Sequence, residues 1–186
     1  MREVISHSFI IRAAVLSDAR AMAVVHISAW RAAYRGLLPD SVLDGLSIEE
    51  SEQRWDGMLR TADETLVRYL VAEDAVGAVL GISGGGSPRD EGVASRFGEL
   101  RMLNVAPASW GCGVGRALLA ACEHEIHALG YSEAYLWVLE GNARARRLYR
   151  HAGWLETSMY KADNRFPGQP REVQYRRHLT RDQAAS

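Results

Sequence analysis

A chain of 186 residues is long enough for one domain to bury a core without disulfides. Its 22 basic and 23 acidic residues leave a formal charge of −1, which gives no support for a nucleic-acid surface or a polybasic membrane patch. No apolar run approaches a bilayer span, MREVISHSFIIRAA lacks the apolar stretch of a signal peptide, and two cysteines, Cys112 and Cys122, are too few for a disulfide scaffold, so the expectation is a cytoplasmic, single-domain protein with reduced thiols.

FIIRAA (9–14) reads as a first strand, and Ser17 or Asp18 then caps a helix with Met22, Val25, His26, Ala29 and Trp30 on one face. GLLPDSVLDGL (36–46) breaks and restarts the chain. Ser47 and Glu50 suggest a capping box for a helix through Trp55 and Met58. TLVRYLVAE (65–73) and VGAVLGIS (76–83) are β-type runs around Asp74–Ala75, a hairpin spacing. GGGSPRDEG (84–92) reads as a loop, long enough to be mobile or functional. FGELRMLNV (97–105) alternates as a strand and stops before Pro107. A glycine-rich turn leads into a helix over 114–129, with Leu118, Leu119, Cys122, Ile126 and Leu129 at helical spacing and Gly130 ending it.

AYLWVLE (134–140) reads as a short buried strand. Asn142 then caps a helix with Ala145, Leu148, Tyr149 and Ala152 on one face, and Gly153 ends it. WLETSMY (154–160) and EVQYRRHL (172–179) are further strands around the loop DNRFPGQP (163–170). The basic QYRRHLTR stretch alternates like a solvated edge strand, and RDQAAS is expected to fray. Strands outnumber helices and come partly as hairpins, which points to a mixed sheet flanked by helices rather than a doubly wound array.

WGCGVGR (110–116) sets Gly111, Gly113 and Gly115 at the mouth of the apolar helix. A Walker A loop would need a Gly-Lys-Ser/Thr ending that is absent. A dinucleotide turn would need G-x-G-x-x-G at the first strand–helix junction, whereas these glycines come late and as G-x-G-x-G. A third reading is a turn whose amides face a pyrophosphate at a helix N-terminus, with Arg116 adding a charge. From the glycines alone, a merely tight turn is as good an account.

The flanking sequence decides between them. ELRMLNVAPASWGCGVGRALL, followed about twenty residues later by LWVLEGNARARRLYRHAGW, resembles two paired motifs of the GCN5-related N-acetyltransferase (GNAT) superfamily. HISAWRAAYRGLLPDSVLDGL is similar to the N-terminal helices of many bacterial members. The likeness covers residues 7–179 and treats 1–186 as one acetyltransferase domain. It implies an α/β (α+β mixed) acyl-CoA N-acyltransferase fold. In that fold a central, mostly antiparallel twisted sheet of about seven strands is flanked by about four helices. The sheet splays between strands 97–105 and 134–140. Trp110 departs from the pattern, standing where the family usually has Gln or Arg. The loop amides would still carry the anion, and Trp110 then packs the loop.

The resemblance further implies that acetyl-CoA lies in the wedge between the splayed strands. Its pyrophosphate would meet the amides of Gly111, Cys112, Gly113, Val114, Gly115 and Arg116. The pantetheine arm would pair with Leu103, Asn104 and Val105, pass near Asn142, and leave an amide to polarise the thioester carbonyl. The acceptor would be a primary amine on a small molecule or peptide. A lysine-like amine has a pKa of ~10.4, so deprotonating it at neutral pH costs about 4–5 kcal/mol. A base is therefore useful. Glu99 matches the family's catalytic glutamate, and by alternation it would share a strand face with Arg101 and Leu103. The other reading of Glu99 is an ion pair with Arg101 or another cation. Tyr149 matches the tyrosine that protonates the leaving thiolate, against a plain core tyrosine.

Trp137 stands where some ribosomal-protein N-acetyltransferases carry a glutamate. It either walls the acceptor pocket or packs the core, as do Trp30, Tyr34 and Trp55. Cys112 reads as an incidental small residue, and His124 and His127 decorate a solvated helix face without a third metal ligand. No metal, nucleic acid or membrane is expected, while family members often form homodimers through C-terminal strands. A non-catalytic acyl-CoA sensor on the same fold is the alternative. An NAD-dependent oxidoreductase is disfavoured by the strand order.

Overall fold

The computed structural model describes residues 8–180. The segment through His7 and the RDQAAS segment lie outside the described residues. The strands are β1 (Phe9–Ala13), β2 (Val67–Asp74), β3 (Val79–Gly86), β4 (Phe97–Val105), β5 (Glu133–Leu139), β6 (Leu155–Ala162) and β7 (Arg171–His178). The helices are α1 (Ala19–Tyr34), α2 (Asp40–Asp44), α3 (Ile48–Thr61), α4 (Val114–Ala128) and α5 (Ala143–His151). The strands form one sheet in the order β1-β2-β3-β4-β5-β7-β6. Every neighbouring pair is antiparallel except β4–β5. No described helix is long and apolar enough to cross a membrane.

Both faces of the sheet are covered. Leu70 and Ala72 of β2 face a cluster built on Leu118, Leu119, Cys122 and Ile126 of α4, which also takes in Tyr149 and Trp154. Val71, between them, faces Met22, Ala23 and Val25 of α1 and Trp55 of α3. A strand buried on both sides reads as a continuous apolar run, which is why TLVRYLVAE lacks clear alternation. The α4 layer sits close because glycines floor it. A Cβ at Gly81 would lie 2.7 Å from Leu118, one at Gly85 would lie 2.6 Å from Ile126, and one at Gly98 would also collide with Ile126. Full burial of each such leucine or isoleucine contributes roughly 1.5–3 kcal/mol.

This packing corrects one expectation. Gly84, Gly85 and Gly86 do not open the loop but continue β3, pairing with β4 as far as Glu99. Their poor strand propensity is outweighed by close approach: a Cβ would meet the Tyr69 ring at Gly84, Ile126 of α4 at Gly85 and the Leu66–Val67 backbone at Gly86. A second correction concerns β7, which lies between β5 and β6 and is not an edge; the edge is β6. Val173 and Tyr175 turn into the core, Gln174 is buried between them, and the basic Arg171, Arg176, Arg177 and His178 lie toward the strand ends. A third concerns Asp18. It does not cap α1 but accepts the Val15 N–H at 2.8 Å and pairs with Arg12 at 2.7 Å. Ser47 does cap α3, accepting from Glu50 N–H at 3.2 Å. Glu123 of α4 accepts from Trp154 Nε1 at 2.7 Å and lies 3.4 Å from Arg177 of β7.

The feature that positions the site is a gap. β4 and β5 pair in parallel only at Phe97–Glu133, Gly98–Ala134 and Glu99–Tyr135, and then part. Just there, the β3–β4 register jumps from Gly85–Leu100 to Gly84–Met102, leaving Arg101 as the extra residue of a bulge. A bulge bends its strand and increases local twist. It also exchanges faces. Leu100, Leu103 and Val105 all pack toward the α4 cluster, whereas Met102 packs toward α1 and α3. Strict alternation would set Glu99 on the face of Leu103; the bulge at Arg101 breaks that expectation.

Gly85→Ala should cost about 1–3 kcal/mol through overpacking, because its Cβ would also lie 2.9 Å from the Glu99 carbonyl oxygen. Urea unfolding should show a lower midpoint at unchanged slope. A wild-type midpoint would mean that α4 is not seated on the β3 glycines.

Candidate active site

The end of β4 runs through a short turn at Pro107–Ser109 into the glycine loop. Trp110 fixes that loop. Its ring N–H donates to the Val105 carbonyl at 2.8 Å, and the Arg144 guanidinium lies 4.1 Å from its ring centre. Trp110 is thus a loop anchor, as the sequence suggests. Gly111 and Gly113 take φ of 82° and 85°, a left-handed conformation that glycine adopts without a Cβ penalty. A Cβ on either would meet nothing within 4 Å, so both face open space. The amides of Gly111, Gly113, Val114, Gly115 and Arg116 have no described backbone acceptor, as expected of the first turn of a helix.

These amides border a cavity of about 340 Å³ lined by Leu103, Asn104, Val105, Gly111, Gly113, Gly115, Arg116, Asn142 and Tyr149. Open N–H groups and the positive end of α4 suit an anionic pyrophosphate, and the β4 backbone runs beside them as a rail. Two expected members are placed differently from the rest. Val114 turns its side chain into the core, and half-buried Cys112 points its thiol toward the Trp110 carbonyl at 3.8 Å. Neither lines the cavity, so any contribution from them is through the main chain.

Asn142 caps α5, its Oδ1 accepting the Ala145 N–H at 3.1 Å. About two turns further on, Tyr149 is buried between Trp154 and Tyr175, with ring centres 6.2 and 6.0 Å away. Burial, reinforced by Tyr34 and Cys122, pushes its hydroxyl well above the ordinary tyrosine range. It therefore stays protonated at neutral pH. Tyr149 and Asn142 line the first cavity and also a second of about 420 Å³ on the other side of the gap.

The second cavity is polar. Glu99 lies in its wall, 2% exposed. The cation that meets Glu99 is Arg89 from the loop after β3, not Arg101. Arg89 Nη2 donates to Oε1 at 2.6 Å, Nε donates to Oε2 at 3.0 Å, and the Arg89 main-chain N–H donates to Oε2 at 2.9 Å. Arg101 turns instead to the Ser87 carbonyl and hydroxyl oxygens, at 2.7 and 2.9 Å. Trp137 walls this cavity, and its indole N–H donates to Asp90 at 2.6 Å. Lys161 sits 4.3 Å from the Trp137 ring centre and 3.1 Å from Asp90. Burial opposes the Asp90 charge, but the bonds from Trp137 and Lys161 outweigh it and hold the carboxyl below its usual range. Trp30 and Tyr34 of α1 also line the cavity, whereas Trp55 is buried in the α1–α3 core. Sequence reasoning missed Arg89, Asp90, Lys161, Asp163, Arg165 and Glu172, which loops and distant strands bring together here. The one available signal was the charge density of PRDEG within a long loop.

The two cavities share Tyr149 in their walls, one edged by open amides and the other by paired charges. A model of the acetyltransferase (GNAT) family matches residues 27–154. The chain is 32% identical over 132 residues to the uncharacterized N-acetyltransferase YuaI of Bacillus subtilis (strain 168), spanning 71% of this chain and 72% of that protein. It is 31% identical over 118 residues to a mycothiol acetyltransferase of Beutenbergia cavernae, spanning 63% of this chain and 35% of the relative. The PaiA N-acetyltransferase of Thermoplasma acidophilum, solved in complex with coenzyme A, superposes with a TM-score of 0.71 at 18% identity, over 90% of this chain and 98% of that one. YncA, a putative acetyltransferase of Salmonella typhimurium solved with acetyl-CoA, superposes with a TM-score of 0.68 at 19% identity, over 93% and 95%. The chain belongs to the acetyltransferase (GNAT) family.

Gly113→Val should weaken acetyl-CoA binding about tenfold or more, since each charge-assisted amide contact is worth roughly 1.5–3 kcal/mol. Isothermal titration with acetyl-CoA measures this, with the circular dichroism spectrum unchanged. Unaltered affinity would mean that the glycines only make a turn.

Proposed function

We propose that this enzyme transfers the acetyl group of acetyl-CoA directly to the primary amine of a small molecule or peptide. The observation that carries the reading is the continuity from the open amides of 111–116, along β4, to Tyr149, which fronts both cavities. Gly111, Gly113, Gly115 and Arg116 would hold the pyrophosphate, with the Cys112 and Val114 amides beside them. Leu103, Asn104 and Val105 would hold the pantetheine arm, with Asn142 at its flank. The bound cosubstrate supplies an activated thioester.

The protein's own groups then have separate tasks. A main-chain N–H on β4 steadies the carbonyl oxygen as it gains charge. The Tyr149 hydroxyl gives its proton to the departing sulfur. It reaches the reaction protonated, as a tyrosine does at neutral pH. Glu99 is the base expected from the family likeness, but Arg89 holds it in a closed pair. While the pair is closed, Glu99 instead orders the loop that carries Arg89 and Asp90 over the acceptor cavity.

Tyr149→Phe should lower kcat by about 10²-fold or more while acetyl-CoA affinity stays within twofold. Thiol release with a good acceptor measures the rate, and calorimetry measures the affinity. A sensor without turnover would have no rate to lose, and an undiminished kcat would remove Tyr149 from the chemistry.

A further inference from the structure

The acceptor cavity contains eight formal charges, and most cancel locally. Arg89 closes on Glu99 at 2.6 Å, Lys161 on Asp90 at 3.1 Å, and Arg165 on Asp163 at 2.6 Å. Two charges of opposite sign are left over. Arg101 makes no described ion pair; its Nε and Nη2 bond neutral oxygens of Ser87. Glu172, at the start of β7 opposite Leu139 and Lys161, accepts no described hydrogen bond. Its nearest cation is Arg165 at 4.0 Å, beyond hydrogen-bond reach and already forked onto Asp163 at 2.8 and 2.6 Å. The Glu172 side chain is 13% exposed. A carboxylate held in a cavity wall without a hydrogen bond is costly unless a ligand supplies one.

We propose that the acceptor is a zwitterion, an amine carrying its own acid group, with Glu172 receiving the ammonium and Arg101 receiving the acid. This rests on the acetyltransferase reading and narrows its substrate. The two residues come from the two strand systems on either side of the gap, β4 and the β5–β7 pair, so a molecule bridging them lies across the wedge. Both line the cavity that Tyr149 and Asn142 share with the cosubstrate side. Glu172 also has the character of a base. Burial and the neighbouring Asp163 raise its carboxyl, against Lys161, Arg165 and Arg89, while Tyr34 of α1 faces it as a neutral hydroxyl.

Glu172 takes one proton from the ammonium, and the freed nitrogen attacks the thioester carbonyl carbon. The carbon–sulfur bond breaks, and sulfur takes the Tyr149 proton. The second nitrogen proton returns to the Tyr149 oxygen, and Glu172 releases its proton to solvent. The sum is an amide, free CoA thiol and one proton. Glu99, sealed by Arg89, then keeps the loop in place instead of serving as base.

The test uses wild-type protein, acetyl-CoA and the standard L-amino acids, each beside its carboxamide and its decarboxylated amine, with thiol release as the readout. Acid-bearing amines should be preferred by about tenfold or more in kcat/KM, because a site built for a polar group rejects analogues lacking it. Arg101→Gln should abolish that preference. Glu172→Gln should lower kcat/KM about 10²-fold and remove its rise with pH on the acid side. Equal or better use of the analogues lacking the acid group, or no turnover of any acid-bearing amine, would overturn the proposal, whatever the variants' folding. Acetyl-CoA titration of the same samples separates the two levels, since loss of that binding in wild type would count against the acetyltransferase reading itself.

Discussion

The parting of β4 from β5 is the constraint on which the site depends. A parallel pair that stayed in register to Val105 would satisfy its own amides and leave no room between the strands. Here pairing stops at Glu99 and Tyr135, and the β4 backbone beyond Arg101 lies along a cavity edge. Main-chain groups in a cavity need partners, and a ligand with amide and phosphate groups supplies them. The neighbouring strands β3 and β5 are mostly buried, so the gap sits within a packed frame. Three elements hold it open: the bulge at Arg101, the Trp110 anchor on Val105, and the α5 cap at Asn142.

Electrostatics divide the wedge into two halves. On the glycine side the favourable term is a set of fixed dipoles: open amides and the positive end of α4, with exposed Arg116 at the mouth. These need no reorganisation when an anion arrives. On the other side the charges belong to side chains, and six of them neutralise one another in three pairs. The loop after β3 is therefore latched from two directions, by Arg89 on Glu99 and by Asp90 on Trp137 and Lys161. Tyr149 stands between the halves as a buried, protonated hydroxyl.

Much of this was legible in the sequence. The glycine turn, the Asn142 cap, the order of elements and Tyr149 on a helix all follow from local spacing, and local spacing is conserved by folding. The gap between strands 97–105 and 134–140 entered through family likeness, because no residue pattern in either strand announces where pairing ends. What the sequence hid is non-local. Gly84–Gly86 look like a loop until α4 is laid over Gly85, and Tyr69 and the Leu66–Val67 backbone over its neighbours. The bulge at Arg101 is invisible in FGELRMLNV, yet it reverses which face each later side chain takes. Glu99 was chosen by position, but its partner came from a loop whose conformation propensity does not fix. Glu172 opens a strand that looked solvated, and only the β5–β7–β6 order carries it into the cavity.

Amide hydrogen exchange with and without saturating CoA tests the central claim most directly. The account predicts that protection appears in two stretches, 103–105 on β4 and 111–116 at the start of α4, with the already paired β2 and β7 little changed. Saturation without protection in either stretch, or protection confined to another part of the sheet, would contradict the claim that the parted strands and the glycine turn form the binding wedge.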